Sequence, residues 1–539
     1  MREPPTAATS DETALLIEAA GALAPLREAL RTPAPEEQFA AHARAWGATY
    51  VETLIALASY VETQTHNGKL GTLEHELSCL IFGEYLNQLA GGIALSQSEI
   101  ARPADLGFAD TLPNFDHPAI VQCRLHGNTP ARRAALARHM DKTGTTEAAD
   151  GLDDTLQLVR AQFRRFAAEK ITPHAQSWHL DDALIPLDLI AEMAALGVFG
   201  LTIPEAQGGG GLGKQAMCVV SEELSRGFLG VGSLGTRTDI AAELIGHHGT
   251  EAQKKKYLPA IASGDIIPTA VFTEPDIGSD LAHLTTRAVP VKGGFQIHGA
   301  KTWITHAARA DLMTLLVRTD PAADGHTGLS MLLAEKPRGT ENNPFPAEGM
   351  AGGEIGVIGY RGMKEYDIAF DGFFVPENAL LGGAQGTGFK QLMTTFESAR
   401  IQTAARAIGV AQNALDMAFD YARTRRQFGK PIYTFARVRD KIILMAAEIL
   451  AARQLTYAAA RRKESGARCD LEAGMAKLLA ARVAWSAADN NVQIHGGNGF
   501  ALETPASRLL CDARILSIFE GAAEIQADII ARRLGAIKG

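Results

Sequence analysis

The sequence predicts an α+β protein of several domains, in the order helices, helices, strands, helices. Three observations predict it. Two stretches in the first half carry apolar residues at helical spacing. From about Pro268 short runs alternate apolar and polar residues between Gly, Pro and Asp. From about Gly388 the helical period returns. Strands gathered in one run indicate α+β or separate domains rather than a wound βαβ sheet.

The first segment, 1–150, is a helical extension. LLIEAAGALAPLREAL and WGATYVETLIALASYVETQTHNG are periodic, and TLEHELSCLIFGEYLNQLAGGI is stopped by Gly91-Gly92. The small polar run DKTGTTEAADG, 141–151, reads as a linker. Residues 151–267 are helical again, with LDDTLQLVRAQFRRFAAEK and LDLIAEMAALGVFG. Residues 268–387 hold the predicted strands TAVFTEP, LTTRAVPVKGGFQIHG, LMTLLVRTD, GLSMLLAEK and YDIAFDGFFVP. Residues 388–539 open on one long periodic segment, followed by helices over 434–466 and 470–494.

The chain has 539 residues, enough for roughly three or four domains. Its 52 basic and 61 acidic residues leave a net charge of −9, which argues against a nucleic-acid-binding surface. Cys79, Cys123, Cys218, Cys469 and Cys511 are odd in number, far apart and without a CxxC pair, so free thiols in a reducing compartment are expected. The start, MREPPTAATSDETALL, lacks the pattern of a signal peptide, and no apolar run of roughly 18 residues marks a membrane span. A cytoplasmic protein is expected. No HExxH or Cys/His cluster has metal spacing, and the adjacent His247 and His248 read as surface residues. GGGGLG at 208–213 fits G-x-G-x-x-G but follows a helical pattern rather than a strand, so it reads as a loop.

Several residues carry chemistry. The turn TEPDIGSD places Thr273 and Ser279 where hydroxyls and backbone N–H groups could bond a polar ring and a phosphate; the plainer reading is a polar turn. Trp303 and Thr305 stand two apart and would share one face of a strand; the plainer reading is a core Trp. Arg425 could grip a pyrophosphate, or belong to a solvated basic face with Arg423 and Arg426. Glu520 lies between Ile518-Phe519 and Gly521-Ala522-Ala523, an apolar setting that would raise its pKa and strengthen it as a base; the plainer reading is a surface Glu.

TEPDIGSD (273–280), KTWITH (301–306), RRQFGK (425–430), QIHGGNGF (493–500) and IFEGAAEIQ (518–526) stand in one order, and together they resemble the acyl-CoA dehydrogenase family over about 152–539. The resemblance implies a helical domain, a β-barrel-like domain and a C-terminal four-helix bundle. It implies FAD, contacted by Phe272, Thr273, Gly278, Ser279, Trp303, Ile304, Thr305, Ala522 and Glu524, with Trp303 over the isoalloxazine and Thr305 near N5. It implies that Arg425, Gln427, Phe428 and the loop Gln493, Ile494, His495, Gly496, Gly497 reach a neighbouring subunit's FAD, hence a homo-oligomer, at least a dimer. Glu520 is implied as the base that takes the α-proton, with Ser279, Gly521, Glu397 and Arg400 at the substrate. The base position used elsewhere in the family matches Ala399, which cannot serve. An electron-transfer flavoprotein is the implied acceptor. Two departures stand out: His306-Ala307 where the family commonly has Asn-Gly, and Phe435-Ala436 where it often has Phe-Gln.

The helical extension and SRGFLGVGSLGTRTDIAAELI match a bacterial branch of the family and imply a short, branched, carboxylate-bearing acyl-CoA thioester. Arg237 stands in the segment that supports the acyl pocket. An Arg there is costly unless it meets an anion, either the substrate's far carboxylate or Asp239 or Glu243 of the chain itself. A decarboxylating glutaryl-CoA type, a branched-chain enzyme, an acyl-CoA oxidase and a silent acyl-CoA-binding protein are the alternatives.

Overall fold

The computed structural model describes residues 7–32, 37–109 and 111–536; the reading of the first six residues lies outside these. Packing gathers the chain into two units, Met1–Leu158 with Thr403–Gly539, and Val159–Gln402.

In the first unit the N-terminal helices pack on C-terminal ones. Gln38–His66 and Thr72–Gly91 lie against Ala436–Glu464, and Gln38–His66 also against Ala523–Ala536. Apolar residues on both sides supply the drive. Partly buried charged groups join the two sets: the Arg482 guanidinium sits 4.3 Å over Trp46 and 5.1 Å over Tyr50, which stacks on Tyr85 at 4.2 Å. Arg133 pairs with Asp440 at 3.0 Å and His42 meets Asp528 at 2.9 Å. Gly92, at φ +146, ends Thr72–Gly91 as expected.

The predicted linker is bolted in place. Helix Pro130–Thr143 runs into it, and beyond that the Tyr60 hydroxyl donates to Ala149 O (2.5 Å), Ala149 N–H to Glu74 (2.7 Å) and Gln454 to Asp150 O (2.9 Å). Its small side chains leave the backbone free to bond, so low apolar content marks a tight crossing here and not a loose tether. Helix Ala436–Glu464 is long and apolar enough by length and composition to cross a membrane, but it is mostly buried, against Asp470–His495 and the N-terminal helices.

The second unit sets helices beside a seven-stranded sheet. Gly294–Thr305 is central. It forms a hairpin with Arg287–Val291 and a long antiparallel pair with Glu365–Pro376, whose other edge takes Met350–Ile355. Pro268–Val271 runs parallel to Leu312–Arg318, which also pairs with Leu329–Glu335. Alternation puts Phe295, Ile297, Leu315, Ile368 and Phe370 into one core. Met350–Ile355 was not expected, because two glycines and an exposed face leave no period to read. GGGGLG is a loop ahead of helix Gly213–Gly227, preceded by the turn Glu205–Gln207 and not by a strand. Gly209 is there for packing: a Cβ would stand 2.1 Å from Ile203 O.

Candidate active site

In the second unit the site is built on the strand Gly294–Thr305. Opposite the single residue Asp367 this strand carries two, Thr302 and Trp303: Lys301 pairs with Ile368 and Ile304 with Tyr366. This is a β-bulge, and Trp303 takes φ +58 in it. The extra residue breaks the period of two. Trp303 is 55% exposed, while Ile304 and Thr305 are buried. The indole borders a groove of about 500 Å³ whose lining includes Pro275, Thr302, Gly352 and Asp367. A left-handed tryptophan with its ring in the open is held against both backbone preference and the hydrophobic effect. A flat aromatic ring laid on it would cover the exposed indole, so the residues present fit a flavin.

The turn 273–280 is fastened to this strand by two residues that the sequence reading passed over. Glu274 and Ile277 exchange backbone bonds at 3.0 Å. The buried Glu274 carboxylate accepts from Thr285 N–H (2.7 Å), Thr286 N–H (2.8 Å) and the Lys301 ammonium (3.0 Å), which also donates to Phe272 O (2.8 Å). Burial raises Glu274, but Lys301 and these donors outweigh it and hold the carboxyl at about 2. Burial lowers Lys301 to about 8 against the pull of Glu274. Both are charged at neutrality; the carboxylate gains more because it has several donors. Phe272 and Thr273 are half-buried and Gly278 and Ser279 exposed on the far side of the turn. The Glu and Lys in TEPD and KTWIT were the available signal.

The Thr305 hydroxyl donates to Glu365 at 2.9 Å rather than standing clear for a ring nitrogen. Burial pushes Glu365 up to about 7, while the Thr305 bond and the nearby Arg237 charge pull it back. Arg237 is 7% exposed on helix Leu229–His248. Asp239 accepts from Thr202 (2.8 Å) and Gln402 (2.9 Å), and Glu243 pairs with Lys214 (3.2 Å). The Arg237 charge also acts on Glu365, a residue the sequence reading missed. His306 takes φ +65 and its N–H donates to Lys364 O at 3.0 Å, so the departure from Asn-Gly keeps a left-handed turn. Its buried ring, lowered to about 3 by burial and neighbouring cations, is neutral. Ala399 and Arg400 are buried and Glu397 half-buried on Gly388–Thr424.

In the first unit Glu520 lies between helices Pro505–Ile515 and Ala523–Ala536. Glu520 and Gly521 are both left-handed, φ +52 and +88. The apolar wall expected around the carboxyl is incomplete within one chain: Ile518 is exposed and Phe519 and Ala522 are half-buried, because the segment is a turn with few neighbours. Glu524 is exposed in the next helix's first turn. Elsewhere, Tyr421 stacks on His495 at 4.1 Å and accepts from Asn498 at 3.1 Å, which brings the end of Gly388–Thr424 beside the turn 493–497. Arg425, Gln427, Gln493, Gly496 and Gly497 are exposed there, and Phe428 is 92% exposed at φ +51. Ala436, also exposed, starts the next helix.

One further group needs assignment. Atoms of Glu12, His75 and Cys79 lie within 4.8 Å of one another, as metal ligands could. Arg132 already holds Glu12 at 2.7 Å and Glu76 at 2.9 Å, so the group is an ion-pair network around a cation.

Family models for the acyl-CoA dehydrogenase N-terminal, middle and C-terminal domains match residues 153–265, 269–373 and 386–535. The (2S)-methylsuccinyl-CoA dehydrogenase of Cereibacter sphaeroides is 60% identical over 503 residues, 93% of this chain and 91% of that protein. An acyl-CoA dehydrogenase of Bacillus subtilis strain 168 is 37% identical over 70% of this chain and 97% of its own. Among solved structures, butyryl-CoA dehydrogenase from Megasphaera elsdenii matches with a TM-score of 0.67 at 30% identity, covering 71% of this chain and 98% of that one.

Proposed function

Because the chain belongs to the acyl-CoA dehydrogenase family, we propose that it oxidises (2S)-methylsuccinyl-CoA to mesaconyl-CoA, with Glu520 taking the α-proton. It is an FAD-dependent oxidoreductase acting on an acyl-CoA. One observation carries the substrate. The 60% identity to a methylsuccinyl-CoA dehydrogenase spans 93% of the chain, too much to omit the N-terminal helices, which the family models leave out.

When bound, FAD supplies the two-electron acceptor for the β-hydrogen. The chain does the rest. The Trp303 indole would hold the flat ring, and the turn 273–279 would offer it hydroxyl and N–H groups. Arg425, Gln427, Phe428, Gln493, Gly496 and Gly497 stand exposed for the cofactor of a neighbouring subunit in a homo-oligomer, with Ile494 and His495 of the same turn buried. Glu520 accepts the α-proton, a weakly acidic one that needs a carboxylate held in place. Arg237 meets the far carboxylate. Glu365, pushed up to about 7 by burial, is mostly uncharged below neutrality. Glu397 and Arg400 support the CoA end. Electrons leave through an electron-transfer flavoprotein in the cytoplasm.

The test is anaerobic bleaching of the flavin by a panel of CoA esters. (2S)-Methylsuccinyl-CoA should bleach it fastest. Faster bleaching by isovaleryl- or butyryl-CoA, or release of CO2 from glutaryl-CoA, would overturn the assignment.

A further inference from the structure

The two peptide units that carry the base are clamped from behind. A non-glycine residue in the left-handed region is strained and persists only where its surroundings impose it. Glu520 sits there at φ +52, followed by Gly521 at +88. Three elements impose it. From the middle of Asp470–His495, the buried Lys477 ammonium donates to Gly521 O at 2.6 Å. From Ala523–Ala536, the fully buried Gln526 amide donates to Glu520 O at 3.1 Å and Gly521 O at 3.4 Å. From Gly388–Thr424, the buried Arg406 guanidinium lies 4.9 Å over the Phe519 ring. Gly521 has no room for a side chain, since a Cβ would come within 2.1 Å of Gln526 Nε2. Burying an ammonium is costly unless its protons are used, and this one is aimed at the carbonyl next to the base.

We propose that Lys477, together with Gln526, is a positioning residue for proton abstraction, fixing the line along which the Glu520 carboxylate approaches the thioester α-carbon. This rests on Glu520 being the base. The step is unchanged: the Cα–H bond breaks, the proton passes to the Glu520 carboxylate and the electron pair stays with the carbon. The clamp contributes orientation, for which a misplacement of about 1 Å can cost about 100-fold.

The experiment uses flavin-loaded enzyme, reduced beforehand, with a saturated CoA thioester in D2O. Deuterium wash-in at Cα is followed by mass spectrometry, which reads proton abstraction without hydride transfer. Flavin content and thioester Kd are measured beside it. Lys477→Met should keep both within about twofold and lose about 100-fold in exchange. Lys477→Gln, which keeps a donor for Gly521 O, should recover much of the loss. Gln526→Met should lose exchange in the same way and serves if Lys477→Met does not fold. Wild-type exchange in flavin-loaded Lys477→Met or Gln526→Met overturns the clamp. So does Lys477→Gln exchanging as poorly as Lys477→Met, which would assign the effect to charge. Glu520→Gln tells the two ideas apart: wild-type exchange there overturns the base assignment and the clamp with it, whereas lost exchange there with wild-type exchange in Lys477→Met overturns the clamp alone.

Discussion

The Lys301 ammonium lies 3.0 Å from the Glu274 carboxylate, with both side chains buried, and this pair fastens the turn that follows Pro268–Val271 to the strand that carries Trp303. Removing one member of a buried pair leaves an uncompensated charge and typically costs about 3–5 kcal/mol. Lys301→Met should therefore lower the unfolding midpoint and empty the flavin site. The double change Lys301→Met with Glu274→Gln should recover part of the stability. Denaturant midpoints and flavin absorbance check this. A single variant as stable as wild type would mean that the turn is held by its other bonds.

Glu520→Gln should keep its flavin and lose about 10²–10⁴-fold in turnover, the usual scale for a general base. The left-handed backbone and the Lys477 and Gln526 bonds involve main-chain atoms, so the amide should leave them intact. Near-normal flavin bleaching by substrate in this variant would place the base elsewhere.

Arg237→Met should discriminate between substrate classes. Losing one partner of a buried charge pair costs about 2–5 kcal/mol, or roughly 30-fold and upward in kcat/KM, for a carboxylate-bearing thioester. Activity on butyryl-CoA should hold or rise. Lys at this position should rescue only part of the loss, lacking the paired donors of a guanidinium. An unchanged ratio of kcat/KM between the two classes would make Arg237 structural.

Glu365 supplies a pH dependence. Its carboxyl rises from 4.5 to about 7 in the folded protein, chiefly through burial. Between those values the folded state holds a proton that the unfolded state has released, so stability falls as pH rises through this window, by at most roughly 3 kcal/mol. Above about 7 the ionised carboxylate competes for Arg237, and kcat/KM for a carboxylate-bearing thioester should fall with one ionisation. Glu365→Gln should flatten that limb. A limb that persists in the variant would belong to another group.

Element type was largely legible along the chain, because helical and strand periods are local. The helices beginning at Ala436 and Asp470 start within two residues of their predicted positions, and the strand ending at Thr305 carries the predicted KTWIT. Met350–Ile355 escaped because its glycines hide any alternation. The bulge at Trp303 escaped for a related reason: two residues facing one is a property of the pairing with Asp367, not of either strand alone.

By itself, the sequence determined the order of helices and strands and the family motifs, which are carried by residue type and short-range spacing. Tertiary structure alone decided that Trp303 stands exposed while Thr305 is buried, that the N-terminal helices join the C-terminal ones in one unit, that Lys301 holds Glu274 and Glu365 meets Thr305 in the second unit, and that Lys477 holds the turn of Glu520 in the first. For the charged groups the physical reason is common. A buried charge is worth whatever its partner and its desolvation make it, and both are set by residues far away in sequence that packing brings within about 3 Å.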